Sequence, residues 1–576
     1  MAEKAPDSKA MPKHIEELER THTNIDVIET TQESPYGEVN FMGTYVAVTL
    51  ACCASFAGFI MPVTSLQLIE RDLGVSPNAI WIALGWILLS AVSFILLGRL
   101  SDIFGRRWFF TGCTVSALIG SIIGATAQQT EVLIAASVFL GLGSAGQLSF
   151  NYSLGELVPM RHRFAVNGFI FLATLPFSGL GPYLARLMII NTSAGWGGIY
   201  YLTIGLNAAS TVCWVLFYHP PTFDNLHRNR TIGDELRELD IGGIFLYVAG
   251  FFLFLLGLAW GGTVHPWSSA YVIAPIVIGF FVLVAFVLCK IFMNLRRPLI
   301  PMHLFRNLDF VIVNILSAVG GVVYYTANTI FPVMVATLYT TDPIEGGLVA
   351  SCVGAGVCAG QFIGSWIAVP GGQMRLKLVF SAVGLCAFVA GLSGATESKA
   401  AGSALAVCGG LMVGLLEVIV STVVTIVIDD QSEIGTAAGV FGSIRAAAAA
   451  IYSSVLMNKL TEYTASDVVP AVVAAGLPVT SLEAFLTALS TGNTAALQEI
   501  PGVTPAAVGA GAAALREAYA KAFKIVWLAT LAFGLLAVVA SFFTTNIDDR
   551  LSHDVIRRLG AKQQKVADVE KKEIDE

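Results

Sequence analysis

The stretch "GRLSDIFGRR", Gly98–Arg107, decides the fold. The apolar run "AIWIALGWILLSAVSFILL" (79–97) precedes it and "WFFTGCTVSALIGSIIGATA" (108–127) follows it. Runs of about 20 apolar residues cross the ~30 Å hydrocarbon layer as helices. Each charge placed at mid-membrane costs roughly 2.5–3.5 kcal/mol. Arg99, Asp102, Arg106 and Arg107 must therefore form a short polar turn between two spans. Gly98 and Gly105 permit a tight turn and close helix approach. Arg106 and Arg107 are expected to hold the turn at the headgroups. Asp102 is not needed for anchoring, so a partner is expected for it.

The rest of the chain reads the same way. Of its 576 residues, 55% are hydrophobic and 13% charged, about half the charged share of a soluble domain. Mean hydropathy is +0.73. The short alternating strands of a membrane barrel are absent. All nine cysteines fall inside apolar runs without metal-ligand spacing. The eight histidines lie in tails and loops, which argues against a membrane enzyme. No Walker motif points to ATP, and no basic cluster points to nucleic acid. No cofactor and no metal are expected. The polar first ~40 residues lack a signal-peptide pattern.

Spans are expected at 43–66, 79–98, 108–127, 131–154, 164–190, 199–218, 241–260, 270–292, 310–337, 345–369, 377–395, 401–429, 435–457 and 520–544, which makes the chain an all-α integral membrane protein. With a cytosolic N-terminus, thirteen basic residues fall in inner loops: Arg99, Arg106, Arg107, Arg161, Arg163, Arg228, Arg230, Arg237, Arg296, Arg297, Arg306, Arg375 and Lys377. Outer loops through the twelfth span hold only Arg71 and Lys399. This is the positive-inside asymmetry.

"GRLSDIFGRR" resembles the signature G-x-L-[SA]-D-x-x-G-R-[RK] that the major facilitator superfamily carries between its second and third spans. Fourteen spans resemble its drug:proton antiporter branch. "LDIGGIFLYVAGFFLFLLGLAWGG", "HPWSSAYVI" and "IGTAAGVFGSIRAAAAAIYSSVLMNKL" are similar to the fungal trichothecene efflux pump family, whose near relatives are fungal siderophore transporters. The resemblance implies a cytosolic tail (1–42), a six-helix bundle (43–218), and a loop with two linker helices (219–309). A second bundle (310–544) with a long extracellular loop (458–519) and a cytosolic tail (545–576) would follow. It implies that Asp102 meets the start of span 13 near Gly435, where free helix N–H groups favour a carboxylate, so that Gly98, Asp102, Gly105, Arg106 and Arg107 form a conformational latch. The second-half repeat is degenerate, with Ala368 at the aspartate position. Two departures stand out. Ser137 replaces the usual arginine of span 4. "FSGLGPYLAR" keeps a kink at Gly181 and Pro182 but puts Ala185 and Arg186 where glycines are expected.

Polar residues spaced by three or four mark single helix faces. Span 4 gives Ser137, Gly141, Ser144, Gln147 and Asn151. Span 9 gives Asn314, Ser317, Gly321, Tyr324 and Asn328, with Tyr325 beside it. Span 12 gives Gly410, Gly414, Glu417, Ser421 and Thr425. Such faces must turn toward protein or water. Helix packing through small residues accounts for the glycines but not for the long polar side chains. The expected substrate cavity comprises Gln147, Asn151, Asn314, Tyr324, Tyr325, Asn328 and Ser421. Glu417 and Arg445 lie ~18 and ~15 Å from the inner ends of their spans. They share a depth at which they form either a proton-coupling pair or a fixed structural one. Asp429 and Asp430 are expected at the cytosolic mouth. Residues 458–519 form either short helices over the cavity mouth or a flexible loop. Trp81, Trp108, Trp196, Trp267 and Trp527 read as interfacial anchors. Asn191-Thr-Ser is an outer-loop glycosylation sequon, and Asn229-Arg-Thr falls on the inner side.

The function expected is proton-coupled export of a lipophilic small molecule (a mycotoxin, secondary metabolite or drug) by a chain working as a monomer. The location expected is the cell membrane, with a vacuolar or vesicle membrane as the alternative. The competing function is siderophore-iron uptake.

Overall fold

A computed structural model describes residues 38–546, apart from 75, 77, 221–232, 234–237, 262–264, 293–297, 369–371, 429, 483, 486–487 and 489–499. The Asn229 sequon, Asp429, most of both tails, and Arg228, Arg230, Arg237, Arg296 and Arg297 lie outside the described residues.

Thirteen described helices are long and apolar enough to cross a membrane, and a bent pair makes up to fourteen. In chain order they are α1 (Val39–Thr64), α2 (Trp81–Phe104), α3 (Arg107–Ala125), α4 (Thr130–Ser153), the bent α5 (Met160–Gly179 and Gly181–Asn191) and α6 (Gly197–Phe217). There follow α7 (Ile241–Trp260), α8 (Ala270–Phe292), α9 (Leu308–Tyr339), α10 (Pro343–Ala368), α11 (Met374–Gly394) and α12 (Lys399–Val423). The last two are α13 (Ile434–Ala474) and α14 (Pro505–Ser541). Helices α1–α6 pack together, as do α9–α14, and the two groups meet where α2 runs along α13 and α5 along α10. Large apolar side chains such as Val212, Phe281, Phe380 and Leu535 stay exposed around the outside, the surface a lipid solvent requires.

The opening stretch explains one seam. Gly105 ends α2 at φ 93°, a conformation that costs glycine little. At Gly98, a Cβ would lie 3.0 Å from Gly439 Cα and would run into the Gly435 carbonyl. The absent side chain is what lets α2 and α13 touch backbone to backbone.

Helices α7 and α8 form a hairpin. Asp240 caps α7 through Gly243 N at 2.8 Å and pairs with Lys290 of α8. The hairpin docks on the α2–α13 seam, with Tyr247 Oη 2.5 Å from Ser443 Oγ. The bend in α5 measures 43°. It follows a π-helical turn at Leu175–Gly179 and comes just before Gly181 and Pro182.

Of the two readings of 458–519, the described residues at both ends are helical, as continuations of spans rather than as separate short helices. Helix α13 continues to Ala474 and α14 begins at Pro505, both far beyond the apolar runs. Alanine-rich sequence propagates a helix without needing lipid. Val468, Val472, Leu477, Phe485 and Ala518 form a small core of their own beyond the bundle. Trp527 is corrected: its ring is fully buried between helices rather than placed at an interface.

A branched side chain at Gly98 should wedge α2 from α13 at an overpacking cost of about 1–3 kcal/mol. Gly98→Val is expected to lower the detergent-solubilised melting temperature well below that of Gly112→Val, a control whose Cβ meets open space. Equal melting temperatures would show that the glycine contact is not what holds the seam.

Candidate functional site

The last turns of α2, which take up Arg99 and Asp102 rather than leaving them in a loop, and the turn after it carry a buried charge network. Asp102 Oδ1 accepts from Arg106 Nη2 at 2.9 Å. Its Oδ2 accepts from Thr436 N at 2.6 Å and from Thr436 Oγ1 at 2.8 Å. Thr436 lies in the first turn of α13, where backbone N–H groups lack intrahelical partners and the helix end is positive. Arg106 also pairs with Glu156 at 2.6 Å and donates to the Tyr152 carbonyl at 3.2 Å. Arg106 is 1% exposed, which corrects its expected place among the headgroups. Two carboxylates, one from the turn and one from beyond α4, need a cation between them more than the lipid does. Arg107 instead donates to the Val215 carbonyl at 2.7 Å and lies over Trp108. Glu156 was not anticipated. It lies just past the apolar run of α4 and carries no signal beyond its charge.

Other bonds close the same face between the two bundles. Buried Arg163 donates to Thr425 O at 2.9 Å and to Thr425 Oγ1 at 3.0 Å. Asn167 Nδ2 reaches Asn151 Oδ1 at 2.9 Å and Thr422 Oγ1 at 3.0 Å.

Above this closure lies a cavity lined by both bundles. Its wall from the first bundle is mainly apolar: Phe56, Phe94, Phe150 and Phe171, with Asn151 as an exception. Its wall from the second bundle carries Ser317, Tyr324, Tyr325, Gln361, Glu417, Ser421 and Arg445. Glu417 forms an ion pair with Arg445 and accepts from Gln361 Nε2 at 3.2 Å. The Arg445 guanidinium lies 5.3 Å from the ring centres of both Tyr324 and Tyr325, within cation–π reach. On the side away from the arginine-bearing turn, Phe59 stacks on Trp86 at 4.4 Å and meets Tyr325 edge-on at 5.5 Å.

Of the expected cavity residues, the structure brings together Asn151, Tyr324, Tyr325 and Ser421. Gln147, Asn314 and Asn328 are corrected, since none lines the cavity. Gln147 Nε2 donates to Asn207 Oδ1 at 2.5 Å inside the first bundle. Asn314 and Asn328 donate to carbonyls one turn back, Phe310 O at 2.7 Å and Tyr324 O at 2.9 Å. A polar side chain in an apolar span satisfies itself at the nearest acceptor, and regular spacing does not reveal which one. Gln361 was not anticipated, although Ser351, Gly354, Cys358 and Ser365 share its face of α10 at spacings of three and four. Asn191 is exposed at the end of α5, on the face opposite the arginine-bearing turn. Among the described residues, no group of His, Cys, Asp or Glu could hold a metal ion.

Comparison with known proteins adds the following. A family model described as fungal trichothecene efflux pump matches residues 16–576. Trichothecene efflux pump TRI12 of Trichoderma arundinaceum is 28% identical over 545 residues, covering 92% of this chain and 89% of that protein. Efflux pump FUS6 of Gibberella moniliformis is 24% identical over 552 residues, covering 92% of each. Among solved structures, the major facilitator superfamily proton:xylose symporter XylE superposes with TM-score 0.54 at 12% identity, covering 89% of this chain and 98% of that one.

Asp102→Asn keeps the shape of the turn and removes its charge. Hydrogen bonds to charged groups are worth about 1.5–3 kcal/mol, so the closed-to-open ratio of this face should drop roughly ten- to a hundredfold. The check is the rate at which an impermeant maleimide, applied to the arginine-bearing face of oriented vesicles, labels Ser421→Cys. That rate should rise, and an unchanged rate would count against the latch.

Proposed function

The chain belongs to the fungal trichothecene efflux pump family, and from that premise we propose that it exports a lipophilic, oxygen-bearing small molecule in exchange for protons. It is a multi-pass membrane transporter of the major facilitator fold. The observation that carries the reading is the Glu417–Arg445 pair set in the polar wall of an otherwise aromatic cavity.

The chemistry follows from that wall. An apolar molecule with a few oxygens can lay its hydrocarbon face on Phe56, Phe94 and Phe171 and turn its oxygens toward the second bundle. While Glu417 is charged, it is held by Arg445 and offers its remaining lone pairs to a substrate hydroxyl. A proton on Glu417 removes the charge that accepts this bond, so protonation expels the ligand. Loss of the proton restores the acceptor for the next substrate. Substrate and proton thus compete for one carboxylate, which is the requirement for exchange. Ser137 in place of the usual span 4 arginine leaves this pair as the coupling site. Desolvated ion pairs bind with little net gain against their hydration, so switching partners costs less than the strength of the contact suggests.

The same reading places the arginine-bearing face, with the segments 1–42 and 545–576, in the cytosol, and Asn191 outside, where its sequon would be glycosylated. Residues 43–218 and 310–544 are the two moving bundles and 219–309 their linker. Gly98, Asp102, Gly105, Arg106 and Arg107 latch the cytosolic side closed. A single chain is the working unit, in the plasma membrane.

The test uses proteoliposomes with an imposed pH gradient and a trichothecene as the probe. The parent protein should move the probe against its gradient. Glu417→Gln should reduce gradient-driven transport to background while leaving the purified protein folded. Full transport by that variant would end the coupling role. Uptake of a ferric siderophore in place of trichothecene export would overturn the direction and the substrate.

A further inference from the structure

Arg186 is a buried charge that neither the cavity nor the Asp102 turn uses. It lies in the second limb of α5, on the face opposite the arginine-bearing turn, and is 6% exposed. Its Nη2 donates to Thr64 O at 3.4 Å, and its Nη1 donates to Pro343 O at 3.3 Å. Thr64 ends α1 in the first bundle, and Pro343 begins α10 in the second. One guanidinium therefore bridges the two bundles.

Neither acceptor is a carboxylate, yet the charge is tolerated for a physical reason. The last four carbonyls of a helix lack intrahelical partners, and the C-terminal end of a helix is the negative end of its dipole. Thr64 belongs to that end of α1. The start of α10 has the opposite polarity, so the bond to Pro343 is the weaker half of the bridge. Both bonds are long against the usual 2.9–3.0 Å. Such a bridge can part at Pro343 while Arg186 stays with α1 in its own bundle.

The surroundings are shaped to this contact. A Cβ at Gly347 would lie 2.9 Å from Arg186 Cδ and 3.0 Å from Pro182 O. A Cβ at Gly346 would lie 2.8 Å from Arg186 Nη1. Two glycines in the first turns of α10 thus make room for the arginine. The bend in α5 contributes a second crossing bond. Restarting the helix at Gly181 leaves Tyr183 N free of an intrahelical partner, and it donates to Ser351 Oγ of α10 at 3.2 Å.

We propose that Arg186 is a positioning residue for transport that holds the outer face closed by bridging Thr64 O and Pro343 O, and that outward opening proceeds by release of Pro343. The proposal does not depend on the identity of the substrate, because its readout is a distance.

The experiment is pulsed electron paramagnetic resonance between spin labels at Asn191→Cys and Thr341→Cys in reconstituted full-length protein. Both positions are exposed, one on each bundle. The singly substituted proteins and the parent supply the background from native cysteines. Arg186→Gln should move the distribution toward longer distances, because a neutral amide cannot span both carbonyls. Arg186→Lys keeps the charge as a compact donor without the planar fork, and should give a distribution between the two. Gly347→Ala attacks the contact from the α10 side, leaves the arginine intact, and should shift distances in the same direction. In trichothecene export, Arg186→Gln should lower kcat several-fold with KM unchanged. A parent-like distribution in folded Arg186→Gln would overturn the proposal. Should Arg186→Gln not fold, an unmoved distribution in Gly347→Ala would overturn it instead.

Discussion

Everything at the arginine-bearing face depends on one constraint: a carboxylate removed from water must be met by donors on every side. Asp102 is met by the guanidinium of Arg106 from its own bundle and by the first turn of α13 from the other. The first partner fixes the side chain, and the second fixes the distance between bundles. Arg106, in turn, is shared with Glu156. Breaking one member of such a network leaves a buried charge uncompensated, at a cost of about 3–5 kcal/mol. The three-residue core therefore stays intact within its bundle, and the contact that can open is the one to the backbone of α13. Gly98 and Gly105 are the steric conditions for it, one by closeness and one by φ.

The cavity has its own division of labour. The first bundle supplies mostly aromatic surface, and the second supplies the ion pair, the amide of Gln361 and the hydroxyls. Bundles that carry opposite halves of an amphipathic site need to touch the ligand together, so occupancy and closure become linked. Phe59, Trp86 and Tyr325 continue the apolar lining to the far side. There Tyr325 belongs both to that aromatic cluster and to the pair of rings around Arg445. A change in the Glu417–Arg445 pair is thus one side chain removed from the contact between α1 and α9.

Helix ends recur as the other theme. At one face a carboxylate sits on the N-terminal turn of α13. At the other a guanidinium sits on the C-terminal carbonyls of α1. In a medium without water, a helix terminus is one of the few polar partners available. A helix terminus thus supplements the guanidinium at Asp102 and stands in for a counter-ion at Arg186.

The sequence by itself determined what solvent decides. Apolar runs of about twenty residues fixed the helices and their number, and the loop arginines fixed which ends lie together. The spacing of "GRLSDIFGRR" located the turn and its aspartate, and depth along two helices put Glu417 level with Arg445. Only the tertiary structure decided what neighbours decide. Arg106 and Arg163 counted as surface charges until packing buried them, and Glu156 and Gln361 had no role until folding brought them to Arg106 and Glu417. Gln147, Asn314 and Asn328 share the periodicity of a cavity wall, yet each found an acceptor closer than the cavity. Hydropathy likewise ended α13 and α14 at the lipid, whereas alanine carried both helices past it. Transfer from water to lipid is a property of each residue and can be read along a chain. Hydrogen bonds and ion pairs are properties of two residues, and the second one is known only after folding.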